Sequence, residues 1–266
     1  MLIEIIGCTS AGKSTQARSI YQACRGQGID IFLGDDFVLR QIRLQWIKIN
    51  LLRKLLVNLF ALFVSLLTWR NNLEFYAFAT QFVFQLPIAW LEKLGLLRNV
   101  LKKIGIYEII RLRSTDQQII LEDEGVLHAA HHLFVHCSIQ VKAEHLATFI
   151  KLIPLPDVIV YLRQPESLLI DRTMKRGHKR IPVGSYSDVA RFIKNAVATF
   201  DKLAQYPAVE SKLLLVNVNG GQNVDIVAPD QDDPLVRQAL KIIRNGMTAG
   251  IYESPRLVHD QPEQRF

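Results

Sequence analysis

The chain opens MLIEIIGCTSAGKST, and within it Gly7-Cys8-Thr9-Ser10-Ala11-Gly12-Lys13-Ser14 fits G-x-x-x-x-G-K-[ST], the phosphate-binding P-loop. Gly7 and Gly12 let the backbone curl so that amides such as those of Thr9, Ser10 and Ala11 face an anion. Lys13 is expected to neutralise the β- and γ-phosphates of a nucleoside triphosphate. The Ser14 hydroxyl is expected to hold Mg²⁺, and Thr15 follows it into a helix whose positive end adds to the anion site. Leu2–Ile6 reads as a strand and Ser14–Cys24 as a helix, with Ala17, Ile20, Tyr21 and Cys24 at helical spacing. Strand, glycine loop and helix therefore come in the order the motif requires.

Three further groups of side chains match the chemistry of a bound triphosphate. Glu122, Asp123 and Glu124 follow an apolar run, where a carboxylate can hold Mg²⁺ directly or through water. Alternation along a strand prevents all three from facing one ion, and Asp123 is the first choice, then Glu124. Asp35 and Asp36 follow another apolar run and can accept the proton of an attacking hydroxyl, Asp35 first and Asp36 second. Capping the next helix is the competing role for both sets of acids. Arg172 and Arg176, four residues apart, share a helix face in "RQPESLLIDRTMKRGHKR". A mobile basic flap there would close over the γ-phosphate, and a solvated basic helix is the plain alternative.

The elements that must position these groups are legible as alternating strands and helices. Ile29–Leu33, Gln118–Leu121, Val158–Leu162 and Leu213–Val218 read as strands two to five. The expected fold is α/β: a five-stranded parallel sheet flanked by helices, with a long helical insert between strands two and three. Every polar motif falls beyond the carboxyl end of a strand, where such sheets bind ligands. The 266 residues are 49% apolar, enough for one sizeable core, and the formal charge of +7 suits anionic ligands or an anionic surface. Cys8, Cys24 and Cys137 lack paired spacing and suit a reducing compartment, and the apolar start, Leu2 to Ile6, is too short for a secretory signal, lacks a basic segment and runs straight into the glycine loop, so a cytoplasmic location is expected. No nucleic-acid partner is expected.

Taken together, the P-loop, the acids after strands two and three, and "YLRxPExxxxxRxxxRG" resemble the nucleoside and nucleotide kinases, above all the thymidylate kinase and deoxynucleoside kinase group. "GDDF" resembles the D-x-F motif of uridine kinases, whose acid maps onto Asp35. The resemblance spans roughly residues 1–40, 115–190 and 210–245. It implies a P-loop NTPase fold, Mg²⁺-ATP as donor and phosphoryl transfer to a nucleoside, nucleotide or related acceptor. It also implies a LID segment at about 163–185 carrying Arg172 and Arg176, and a base-binding loop that includes Asn219 and Gly220. One departure is plain: Asp123 is followed by Glu124 and Gly125, where those groups usually have an arginine after the acid.

The insert, about residues 38–115, has no counterpart in the resemblance. It contains "LLVNLFALFVSLLTW" and "FYAFATQFVFQLPIAWL", uncharged and slightly short for crossing a bilayer. Buried helices that shape an acceptor pocket are the first reading. A membrane-surface hairpin through residues 55–91 is the second and a homodimer interface the third. His128 and His132 have a spacing that can bind zinc, but they lack the H-E-x-x-H pattern and read as helix residues beside the pocket. The kinase domain is placed at 1–248 and a loose tail at 249–266. Two rival functions stand beside the small-molecule kinase: a kinase of a lipid or polyprenyl alcohol, and a non-catalytic nucleotide switch, although no N-K-x-D motif is present.

Overall fold

The computed structural model describes residues 1–115, 117–136, 141–178, 181, 185–217, 236–237, 240–241 and 243. Five strands form one parallel sheet: β1 (Leu2–Ile6), β2 (Ile31–Leu33), β3 (Ile119–Glu122), β4 (Val158–Arg163) and β5 (Leu213–Asn217). Their order across the sheet is β2-β3-β1-β4-β5. β1 therefore lies in the middle, with Leu2 opposite Ile120 and Glu4 opposite Glu122 on one side, and Ile3 opposite Val158 on the other. Parallel strands covered on both faces read as nearly continuous apolar runs, which is why "LIEII", "IILE" and "VIVYL" stood out.

The pleat divides β1 between two layers. Ile3 and Ile5 pack with α1 (Lys13–Gly26), α8 (Glu166–Arg176) and α9 (Tyr186–Ala204). On the other face Ile6 packs with α4 (Leu73–Gln85), α5 (Trp90–Arg113), α6 (Ala129–Phe134) and α7 (Ala143–Leu152). Leu2 meets α2 (Gly34–Gln41), α3 (Asn50–Leu67) and α5. A short α10 (Pro207–Glu210) leads into β5. With the P-loop between β1 and α1, this is a P-loop NTPase fold with its helical insert between β2 and β3.

Two boundaries differ from the sequence reading. β2 starts at Ile31, because the Ile29 amide bonds back to the Cys24 carbonyl at 3.0 Å and closes the end of α1. The apolar run from Phe75 to Leu91 is not one helix. α4 stops at Gln85, Pro87 cannot donate to a continuing helix, and α5 begins afresh at Trp90. The last amphipathic stretch is helical at its described positions, with Val236, Leu240 and Ile243 buried against the α1 side of the sheet. The tail at 249–266 lies outside the described residues.

α3 and α5 cross closely because Gly105 has no side chain. A Cβ there would sit 1.9 Å from the Ala61 carbonyl oxygen, so backbone would have to move. Gly105→Ala is expected to cost about 2–3 kcal/mol, the overpacking range, and to shift α3 outward. Thermal unfolding checks it, with the half-buried Gly95→Ala in the same helix, where a Cβ meets nothing within 4 Å, as the control expected to be neutral or stabilising.

Candidate active site

The loop after β1 is held by geometry that few residue types tolerate. Gly7 has φ +146° and its missing Cβ leaves room for the Leu162 carbonyl, which would lie 2.8 Å away; Gly12, just before α1, has φ +92°. Lys13 is buried, and its ammonium donates to the carbonyls of Gly7 at 3.1 Å and Cys8 at 2.9 Å. Burial pushes its pKa down, while the nearby Glu124 carboxylate pulls it up. Thr173 of α8 donates to Ser10 Oγ at 3.1 Å, so the helix after β4 touches the loop directly. Thr9 and Ala11 complete the loop, and Thr15 lies in the first turn of α1, its amide bonded to the Gly12 carbonyl at 3.1 Å.

Because β3 lies beside β1, its carboxyl end delivers acids next to this loop. Ser14 Oγ donates to Asp123 Oδ2 at 2.5 Å. Glu122 instead points inward. It is buried on the face shared with Glu4, against Gly34, where any Cβ would collide with its carboxylate. Burial, reinforced by the Asp35 charge, pushes Glu122 up to about 8. Glu124 is half exposed, 3.9 Å from the Lys103 ammonium and 3.8 Å from His128 Nε2.

Asp35 and Asp36 open α2, yet the residue capping that helix is Leu33 and no side-chain cap bond forms. The two acids part company. Asp36 pairs with Arg53 of α3, whereas Asp35 has no ion pair among the described residues; both acids line a cavity of about 570 Å³ that also reaches Ser14, Glu122, Asp123, Arg53, Lys54 and Lys102. A second cavity of about 650 Å³ lies on the other side of Glu124, lined by Lys13, His128, His132, Arg176 and His178. Arg176 thus reaches the space beside Lys13. Arg172, one turn earlier on α8, is partly buried and borders neither cavity. Asn219 and Gly220 lie outside the described residues.

Two residues outside the predicted catalytic, phosphate-binding and metal sets organise the site: Glu4, and Lys103, which the sequence offered only as one of several basic residues at the end of the insert. Glu4 is buried in β1, and its carboxylate accepts from the amides of Leu127 at 3.1 Å and His128 at 2.9 Å, fixing the turn after β3. Burial raises its pKa to about 7 against the pull of those amides. Lys103 of α5 is buried and donates to the Glu124 carbonyl. Desolvation lowers its pKa, with Glu124 and Glu4 opposing. A lone acid in the strand "LIEII" was a usable signal for Glu4; nothing in "VLKKIGIYEII" marks which lysine turns inward. His128, also buried, is pushed well below the ordinary imidazole range by desolvation and by the charges of Lys13 and Lys103.

No protein-family model and no curated protein matches the chain. Among solved structures it is similar to a deoxyadenosine kinase from M. mycoides with products dCMP and a flexible dCDP bound (17% identity, TM-score 0.43, covering 94% of this chain and 100% of that one). The same kinase with bound dATP gives 14% identity and a TM-score of 0.42, over 93% and 100% of the two chains. A shikimate kinase from Acinetobacter baumannii in complex with shikimate gives 14% identity and a TM-score of 0.38, over 94% of each chain. Likenesses this distant carry no argument about what the chain does.

The raised Glu122 pKa sets a pH dependence with a definite sign. The folded chain keeps this proton after the unfolded chain has lost it. The resulting stability is full below the ordinary value of 4.5 and is lost as pH rises through about 8. The stability gap between the wild type and Glu122→Gln is expected to move against the wild type across that window, by at most about 1.4 kcal/mol per pH unit. Denaturant melts at several pH values measure it, and a gap independent of pH would mean that Glu122 is ionised in the fold.

Proposed function

We propose that this chain is an ATP-dependent kinase of a small anionic or polar acceptor, of the nucleoside, nucleotide or related kind. The observation that carries this reading is the Ser14–Asp123 contact at 2.5 Å beside the buried Lys13, with an acidic and basic cavity opening next to it. A hydroxyl and a carboxylate at that spacing are hard oxygen donors, the set that suits Mg²⁺. Ser14 and Asp123 would hold the ion, and bound there it would neutralise β- and γ-phosphate charge. Lys13 and the loop amides bind the phosphates. The positive end of α1 points at the same place.

The acceptor is assigned to the cavity on the Asp35 side. Asp35 accepts the proton of the attacking hydroxyl, and Lys54 and Lys102 supply charge for an anionic acceptor. Arg176 approaches from α8 on the Lys13 side and offsets charge that develops on the transferred group. Asp36 is committed to Arg53, so it serves as a brace for α3 and not as the base. Lys103, fixed on the Glu124 carbonyl, is a positioning residue for the segment that follows Asp123.

ADP release from Mg²⁺-ATP, measured against a panel of nucleosides, nucleoside monophosphates and polyprenyl alcohols, tests the reading. Asp35→Asn is expected to lower acceptor-dependent turnover about 10²–10⁴-fold while leaving ATP affinity within a few-fold. Lys13→Ala is expected to weaken ATP binding as well as turnover, and Asp123→Asn to raise the Mg²⁺ needed for half-maximal rate. ATP binding with no acceptor-stimulated turnover across the panel would favour a nucleotide switch. Full activity in Asp35→Asn would remove the assigned base.

A further inference from the structure

Most of the large apolar side chains left exposed on this protein belong to the insert, and α3 carries an ordered line of them. Leu51, Leu55, Leu59, Phe63 and Leu66 recur every three or four residues, and all are more than half exposed. They form one stripe about 22 Å long on an 18-residue helix. The opposite face, Val57, Ala61, Val64 and Ser65, is buried against the rest of the insert. An apolar stripe of this length, on a helix of mean hydropathy 1.7 that is only 22% buried, is larger than a soluble monomer ordinarily leaves to water.

The charges around the stripe say what covers it. From Phe37 to Leu73 the chain has no Asp or Glu, but it has Arg40, Arg43, Lys48, Arg53, Lys54 and Arg70. Arg43, Lys48 and Lys54 are exposed near the amino end of α3 and Arg70 just beyond its carboxyl end, and none of the four has an ion-pair partner among the described residues. Trp46 and Trp69, both exposed, flank the two ends. An indole is suited to the boundary between apolar and wet layers. A second copy docked on this face would bring two acid-free basic rims together, whereas anionic headgroups would complement them. α3 is also tied down. Arg53 holds Asp36 of the catalytic layer and Ala61 lies against Gly105, so the helix can rest on a bilayer without leaving the fold to cross it.

We propose that the outward face of α3 docks this protein on an anionic membrane surface, with the helix lying in the interface plane. The cavity beside Asp35 then opens close to the headgroups, since Asn50, Lys54 and Asn58 of the same helix line it.

The test is flotation of the full chain with phosphatidylcholine vesicles, with and without phosphatidylserine. Binding is expected only with the anionic lipid and is expected to weaken with salt. Leu55→Ser/Leu59→Ser/Phe63→Ser and, separately, Lys48→Glu/Arg70→Glu should each weaken it about tenfold or more. All five positions are at the surface, and circular dichroism together with ATP binding checks that the fold is kept. A shift of tryptophan emission to the blue on anionic vesicles would support the docked face. Equal binding to neutral vesicles, binding untouched by both variants, or retention after alkaline carbonate extraction would overturn the proposal. So would a stable dimer by sedimentation velocity that the triple serine variant converts to monomer without any vesicle binding in the wild type.

Discussion

Two carboxylates buried side by side are the constraint around which the site is built. The parallel register of β1 and β3 sets Glu4 opposite Glu122, on the face that α5 covers. Ionised and unpaired, either group would cost several kcal/mol to bury. The fold meets that cost in different ways. The field of Lys103 pulls both pKa values down, but Glu4 also receives two backbone amides, whereas Glu122 has no amide partner and the charge of Asp35 adds to burial in pushing it up to about 8. The consequence is positional. Glu4 pins the turn at Leu127 and His128, Lys103 pins the Glu124 carbonyl, and Asp123 just before them is left directed at Ser14.

That arrangement explains a departure seen in the sequence. Where the resembling kinases place an arginine directly after the acid, this chain has Glu124, and its buried cation arrives from the insert as Lys103. A cation supplied across space needs a rigid carrier. α5 is a 24-residue helix packed against α2, α3, α4 and α6, and its buried side chains include Val100, Ile104 and Ile109 on both sides of Lys103. The insert therefore holds the segment beside Lys13 and Asp123 in place and also walls the cavity next to it.

Residues whose roles follow from local order were legible in the sequence. β1, the glycine loop and α1 follow one another along the chain, and β3, β4 and β5 were found within a residue of their observed limits, because doubly covered parallel strands are uniformly apolar. Alternation along a strand ranked Asp123 first among Glu122, Asp123 and Glu124, but only the fold shows which of them lies against Ser14. What stayed hidden depends on contacts between distant segments. Asp36 and Asp35 look equivalent until Arg53, 17 residues away, takes one of them. Lys102 and Lys103 are indistinguishable until the rotation of α5 is fixed. An apolar helix has the same composition whether its stripe faces protein, lipid or a partner, so the sequence alone does not tell which side of α3 is buried.

α3 joins these separate problems physically. On one side it carries Arg53, Lys54 and Asn58 toward the cavity; on the other it carries Leu55, Leu59 and Phe63 outward. Residues 53–55 span less than a turn, so any tilt or rotation that seats the outer stripe also moves the cations that border the cavity. Arg53 passes that movement to Asp36, and Asp36 is adjacent in α2 to Asp35. The Gly105–Ala61 crossing limits how far α3 can travel before backbone meets backbone, which keeps the coupling short-range and stiff. A surface that changes the seating of α3 would therefore be felt first at the cavity beside Asp35. The P-loop, held by β1, Lys13 and Thr173, would be felt last.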